Sequence, residues 1–312
     1  MVLLFVAMFE IENLKDDIGP LRDPVLIVGF AVRRRAGRLA SQAVGHMVEQ
    51  WGAEKIARID PESLIDFTVR RPTIDRNEIG IELEWPETTI YVARPEGSQH
   101  DFLLLMGFEP NFTWRTFVET LTSYADALGI KTLVTLRAFP GNVPHTRPAP
   151  VTINASDVDL ELQFGVQSRP TRYQGPTDLA GVLAAQGQTL RWQTADLTVM
   201  QPYYFPRMPN AAAMMALVKV IDHAFNIQTP IASLEETAEA QTKAIEAGIA
   251  ADSETQSVIL ELERRYDAGA LRMDFLTDDS DPPASATELP SGAELVDEIE
   301  RLLRGGLETD ER

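Results

Sequence analysis

Two periods of apolar and polar positions run through the chain, and they divide it into strands and helices. Short runs rich in β-branched residues read as strands: PVLIVGF at 24–30, KIARID at 55–60, TIYVAR at 89–94, FLLLMGFEP at 102–110, KTLVTLRAFPG at 131–141 and PVTINAS at 150–156. Between them lie segments with the helical period. AGRLASQAVGHMVEQWG at 36–52 repeats Leu39, Ala43, Met47 and Trp51 at four-residue spacing, with His46 beside the stripe as a packed or boundary histidine. WRTFVETLTSYADALGI at 114–130 places Phe117, Leu121, Tyr124 and Leu128 on one face and stops at Gly129. Two further helices are expected, GPTDLAGVLAAQG at 175–187 behind a Thr177 cap and NAAAMMALVKVIDHAF at 210–225 behind Asn210. Between them LRWQTADLTVMQPYYFP at 190–206 predicts a strand running into an aromatic, proline-containing loop. In IGIELEW at 79–85 the alternation of Ile79, Ile81, Leu83 and Trp85 predicts a half-buried strand, joined through Pro86 in a hairpin with TIYVAR.

Strands alternating with helices predict a three-layer α/β domain, its sheet built from βαβ units. Loops at the C-terminal ends of parallel strands then form the face where ligands bind. The opening MVLLFVAMFEIE is too short to span a bilayer and lacks a basic n-region and a small-residue cleavage site. It reads as an N-terminal strand.

After Pro230 the pattern becomes helical without strands. Ser233 and Glu236 form a capping-box signature, and Leu234, Ala238, Ile245 and Ile249 trace a stripe. SVILELERRYDAG at 257–269 is a second helix, DDSDPPASATELP at 278–290 a polar linker, and AELVDEIERLLRG at 293–305 a short amphipathic helix. The expected division is an α/β core over 1–229, a helical C-terminal extension over 230–277, and an acidic, partly disordered segment over 278–312.

Composition narrows the function classes. Apolar content of 44% and charged content of 24% are those of a globular chain. The absence of cysteine removes disulfides, thiolate metal sites and thiol nucleophiles, and fits a cytoplasmic setting. The net charge of -19 is uneven: residues 229–312 hold 21 acidic against 7 basic side chains. An acidic chain without a basic stripe lacks the footprint of nucleic-acid binding. No membrane association is expected either.

Diagnostic catalytic motifs are missing. There is no phosphate-binding G-x-x-x-x-G-K-[ST] loop, no G-x-G-x-x-G, no G-x-S-x-G and no H-E-x-x-H. The alternating acids Asp157, Asp159 and Glu161 read as the wet face of an element, so no metal and no cofactor is expected. What remains is the loop RAFPGNVPHTRPAPV at 137–151. His145 is a candidate general acid or base, and Arg137 and Arg147 are a candidate anion clamp. Pro140, Pro144, Pro148 and Pro150 stiffen the segment, and Thr146 lies within it, which suits a structural or subunit-contact role. Arg33, Arg34 and Arg35 come after the first strong strand and are candidates for an anionic ligand at a helix N-terminus or for a solvated basic turn. Tyr203, Tyr204 and Phe205 are pocket or interface candidates, with Asn210 capping the helix behind them.

The segments DPVLIVGF, FPGNVPHTRPAPVT, QPYYFPRMPNAAAMMALVKVID and SVILELERRYD, in that order over residues 1–269, resemble the proteasome assembly chaperone 2 family, in particular its bacterial branch. The resemblance implies a fold of the phosphorylase/hydrolase type, related in shape to nucleoside phosphorylases, with the helices after Pro230 appended. It also implies a homo-oligomer, with a trimer favoured, and since no acid, base and nucleophile can be assembled from the sequence, the expected role is a non-catalytic protein-binding module that resembles an assembly chaperone. Some relatives assist assembly of the proteasome α-ring, some of them docking through a hydrophobic-Tyr-any C-terminus. This sequence instead ends Asp310-Glu311-Arg312. The acidic C-terminal helices are the expected contact with a protein partner. The alternative is an enzyme on the same scaffold that acts on an anionic or nucleoside-like molecule through His145 and nearby arginines.

Overall fold

Strand β2, Val25–Ala31, lies at the centre of the molecule because every one of its seven side chains is apolar or absent and every one is buried. Such a strand needs a partner on each edge and a helix layer on each face. A computed structural model of the chain provides both; it describes residues 9–32, 37–77, 80–168, 174–204, 210–250 and 252–269. The strands are β1 (Ile11–Asn13), β2, β3 (Glu54–Ile59), β4 (Thr73–Asn77), β5 (Gly80–Glu84), β6 (Thr88–Ala93), β7 (Phe102–Phe108), β8 (Thr132–Gly141), β9 (Val151–Ala155), β10 (Gln167–Ser168) and β11 (Gln193–Pro202). The helices are α1 (Leu39–Gln50), α2 (Trp114–Ala127), α3 (Val158–Phe164), α4 (Leu179–Thr189), α5 (Ala211–Phe225), α6 (Ala232–Ile249) and α7 (Ser253–Asp267).

Nine strands form one mixed sheet in the order β1-β3-β6-β7-β2-β8-β11-β9-β10. The inner four, β7, β2, β8 and β11, are parallel, while β6 and β9 join them antiparallel. Helices cover both faces. Leu39, Val44 and Met47 of α1, Phe164 of α3 and Leu217 and Ile221 of α5 share a core with Ile27, Leu104, Val134 and Leu197. On the other face Phe117 and Leu121 of α2 and Leu179 and Leu183 of α4 pack with Leu26, Leu103 and Leu133. The chain is thus a three-layer α/β protein, and each fully buried Leu or Phe contributes about 1.5–3 kcal/mol to it. Gly29 lets α1 approach β2 closely: a Cβ there would stand 2.4 Å from the Ala40 carbonyl oxygen. His46 is buried beside the α1 stripe, with its Nε2 2.9 Å from the Pro230 carbonyl oxygen.

Several expectations change in the folded chain. The segment 80–84 pairs with β4 rather than with β6, in a separate two-stranded sheet, because β6 is already held between β3 and β7. Its apolar face is exposed rather than half-buried, since the β4–β5 hairpin stands clear of the main sheet; Ile79 lies outside the described residues. Helix α4 is capped by Asp178 and not by Thr177: the carboxylate accepts the Gly181 N–H at 3.0 Å. Helix α6 starts after Ile231 with no side-chain cap bond, so the Ser233–Glu236 box does not form. The acids around 157–161 belong to α3, where Asp157 caps the helix and Leu160 and Phe164 turn inward. Helix α7 begins before the apolar stripe of 257–269, with Asp252 accepting the Glu254 and Thr255 N–H groups. Residues 1–8 and 270–312, with the linker and last helix read from the sequence, lie outside the described residues.

Candidate functional site

Strands β8 and β11 run in parallel register from Thr132↔Gln193 to Gly141↔Pro202, so the segments attached to their C-terminal ends emerge at the same edge of the sheet. After β8 comes the proline-rich segment 142–150 with His145; after β11 come Tyr203 and Tyr204. The Tyr203 N–H donates to the Gly141 carbonyl at 3.0 Å and ties the two together. Arg137 does not belong to this loop. The strand continues through RAFPG to Gly141, and Arg137 lies within it.

Tyr204 organises the loop. Its ring is fully buried, and its Oη accepts the His145 backbone N–H at 2.9 Å while lying 2.9 Å from His145 Nδ1. The phenol thus engages both the backbone N–H and Nδ1 of His145, which leaves the other ring nitrogen, Nε2, to find a partner elsewhere. That Nε2 is buried and has no partner among the described residues. Burial holds the imidazole below its ordinary range, partly offset by Glu246 and Glu263. Burial also raises the Tyr204 phenol well above the usual tyrosine range, against the pull of the His145 N–H. Both groups are neutral at physiological pH.

The rest of the loop is bound to α7. Arg147 makes a bidentate pair with Asp267, Nε to Oδ1 at 2.9 Å and Nη2 to Oδ2 at 2.8 Å, and its Nη1 reaches Glu263 Oε1 at 3.4 Å. The Thr146 hydroxyl donates to the same Glu263, and the Tyr266 hydroxyl donates to the Pro148 carbonyl at 2.9 Å. Beneath these bonds Val258, Ile259 and Leu262 of α7 and Ile249 of α6 pack on Tyr204, with Tyr203 alongside. Asn210 is buried and caps α5 through the Ala213 N–H at 3.0 Å.

Arg137 faces a different set of groups. It pairs with Asp178 at the start of α4, and its Nη1 lies 3.1 Å from Asp196 Oδ2 on β11. Asp196 Oδ1 accepts the Thr135 hydroxyl at 2.8 Å. Burial pushes the Asp196 carboxyl up, against the pull of Arg137 and Thr135. Arg137 and Arg147 therefore do not converge on a common anion; each is matched by carboxylates of the chain itself. The cleft bordered by His145, Arg147, Met200, Asn210 and Gln241 encloses about 20 Å³. That is room for a water molecule, whereas small-molecule sites occupy about 300–1,000 Å³. Among the described residues no group of three or more His, Asp or Glu is placed to hold a metal ion.

The sequence reading of the loop and tyrosines identified residues that the fold does bring together: His145, Thr146, Arg147, Tyr203, Tyr204 and Asn210. It missed their partners Glu263, Tyr266 and Asp267, whose spacing along one face of a helix was the available signal, and also Asp178 and Asp196. Arg33, Arg34, Arg35 and Phe205 lie outside the described residues.

Comparison with known proteins places this geometry in a family context. The family model described as "PAC2 family" matches residues 34–248. A PAC2 family protein from Streptomyces avermitilis is 33% identical with a TM-score of 0.68, covering 76% of this chain and 100% of its own. A Mycobacterium tuberculosis proteasome-assembly chaperone homologue is 35% identical with a TM-score of 0.67, covering 77% of this chain and 99% of its own. The fold is shared with an archaeal proteasome activator from Pyrococcus furiosus at 14% identity, with a TM-score of 0.62 over 77% of this chain and 98% of that one. No curated protein matches the chain.

Proposed function

This chain belongs to the PAC2 family, and from that premise we propose that it is a non-catalytic, chaperone-like protein-binding module that acts in the cytoplasm as a homo-oligomer, with a trimer favoured. The observation that carries this reading is how the loop at the strand ends uses its polar groups. Arg147 and Thr146 are engaged by α7, His145 by Tyr204, and Arg137 by two aspartates. A reaction centre needs groups free to meet a substrate, and a cleft of about 20 Å³ admits none of useful size. These residues instead fix the shape of a surface. We read the three layers as a phosphorylase/hydrolase-type scaffold over residues 1–229, with 230–277 as its helical extension and 278–312 as an acidic segment that adds partner contacts. A scaffold of that type does not by itself confer catalysis.

The partner chemistry comes from the family. A relative that is 35% identical is described as a proteasome-assembly chaperone homologue, so the partner proposed here is an unassembled proteasome α-subunit. The test is sedimentation of the purified full-length chain mixed with purified α-subunits from the same organism. The expected result is a complex containing both proteins. No complex, together with a melting temperature raised by nucleosides, nucleotides or phosphate in the wild type but not in His145→Ala, would overturn the reading in favour of an enzyme.

A further inference from the structure

The β4–β5 hairpin is an arm with two unlike faces. In its register Ile74 stands opposite Leu83 and Arg76 opposite Ile81, so these four share a face, and Trp85 extends it toward the base. Asp75, Glu82 and Glu84 occupy the other face. Trp85 packs edge-on against Phe67, and among the described residues the rest of the apolar face is open: Ile74 is 55% exposed, Ile81 62% and Leu83 52%, with Trp85 still 50% exposed. Together they present on the order of 450 Å² of largely apolar surface, more than half of the ~800 Å² that each partner contributes to a standard interface. An isolated two-stranded hairpin is at best marginally stable in water, so this face calls for a covering surface.

A second exposed apolar patch lies toward the other end of the strand order. The arm joins β3 to β6, toward one end of the strand order, while α3 comes after β9 toward the other. On α3, Leu160 and Phe164 enter the core, but Val158 is 68% exposed and Leu162 71% exposed, one turn apart on the outward side. Asp159 is exposed beside them. The arm carries the exposed cation Arg76 among its apolar residues, and the α3 ridge carries an exposed anion among its own.

We propose that copies of this chain assemble head to tail, with the apolar face of the β4–β5 arm of one copy seated on the Val158–Leu162 ridge of α3 of the next, and Arg76 facing Asp159. Two different patches at opposite ends of one sheet make a heterologous interface, which closes into a ring when the rotation between neighbours allows it. The charges orient the contact. Two arms packed on each other would instead bring the two Arg76 cations onto one small interface and leave the α3 ridge bare. The inference rests on the oligomeric reading proposed above and names its surfaces.

The experiment is light scattering coupled to size exclusion, run on the full chain and on Ile81→Glu and Leu162→Glu. Both substitutions are at exposed positions, and unchanged thermal unfolding of each variant verifies the fold. The wild type is expected as an oligomer and each variant alone as a monomer. Mixed in equal amounts, the variants are expected to form a dimer that grows no further, because the intact arm of Leu162→Glu meets the intact ridge of Ile81→Glu while the other two surfaces are spoiled. An oligomer that persists in Leu162→Glu, or a mixture that stays monomeric, would overturn the head-to-tail contact and leave the oligomeric reading standing. A monomeric wild type would remove both.

Discussion

At the scale of single residues, Tyr204 does the most with the least exposure. One hydroxyl satisfies the His145 N–H and Nδ1 in a place without solvent. Tyr204→Phe removes that hydroxyl and leaves both groups unpaired, so it is expected to cost about 1–3 kcal/mol in urea denaturation. His145 carries a pH dependence of definite sign. Its folded pKa lies below its unfolded value of about 6.5, because burial disfavours the charged ring. Below that unfolded value the unfolded chain takes up a proton that the folded chain does not, and stability falls as the pH drops toward the folded pKa, then levels off. Above about pH 7 the group contributes no slope. Wild type is therefore expected to lose more stability than His145→Gln between pH 7.5 and 5, and equal losses in parallel urea titrations would count against this assignment. The sequence pointed to His145 through its position between prolines. It held no sign that the ring would be met by a tyrosine 59 positions away.

At the scale of elements, α7 is held by two kinds of force that differ in size. Its ion pairs with Arg147 are partly exposed, and screened pairs of that kind contribute little net stability. Its apolar contact is deeper, with Leu262 at 1% exposure against Tyr204. Removing the leucine side chain costs about 2–5 kcal/mol in a rigid core, and a helix appended beside the sheet answers by opening locally. Leu262→Ala is thus expected to accelerate amide exchange in α7 more than Arg147→Ala does, with β2 and β8 still protected in both. Equal acceleration, or loss of protection throughout the sheet, would show that α7 is not a separately held element. The same scale shows what patterning can and cannot say. The alternation Ile81, Leu83, Trp85 did sort those residues onto one face. Whether anything covers the face depends on where β6 finds its partners, and β6 pairs with β3 and β7.

At the scale of the whole molecule, charge and shape act together. The surplus of acid after residue 229, 21 acidic against 7 basic side chains, sits next to a body that is close to balanced. If the acidic helices face the α-subunit, the proposed complex weakens as salt rises from about 50 to about 500 mM, since screening shortens the reach of exposed charges. Head-to-tail contacts built mainly on apolar area should survive the same change. Sedimentation of the mixture across that salt range separates the two.

The layers are legible in residue order: buried β-branched runs, amphipathic helices and the Asn210 cap are set by contacts within a few residues, and local pattern records local physics. Which carboxylates neutralise Arg137 and Arg147, which hydroxyl holds His145, and which apolar face stands open among the described residues emerge only from the folded chain. Those outcomes depend on groups between 41 and 120 positions apart being brought within hydrogen-bond distance, and on strands choosing partners across the sheet. Neither leaves a mark in the spacing of residues along the chain.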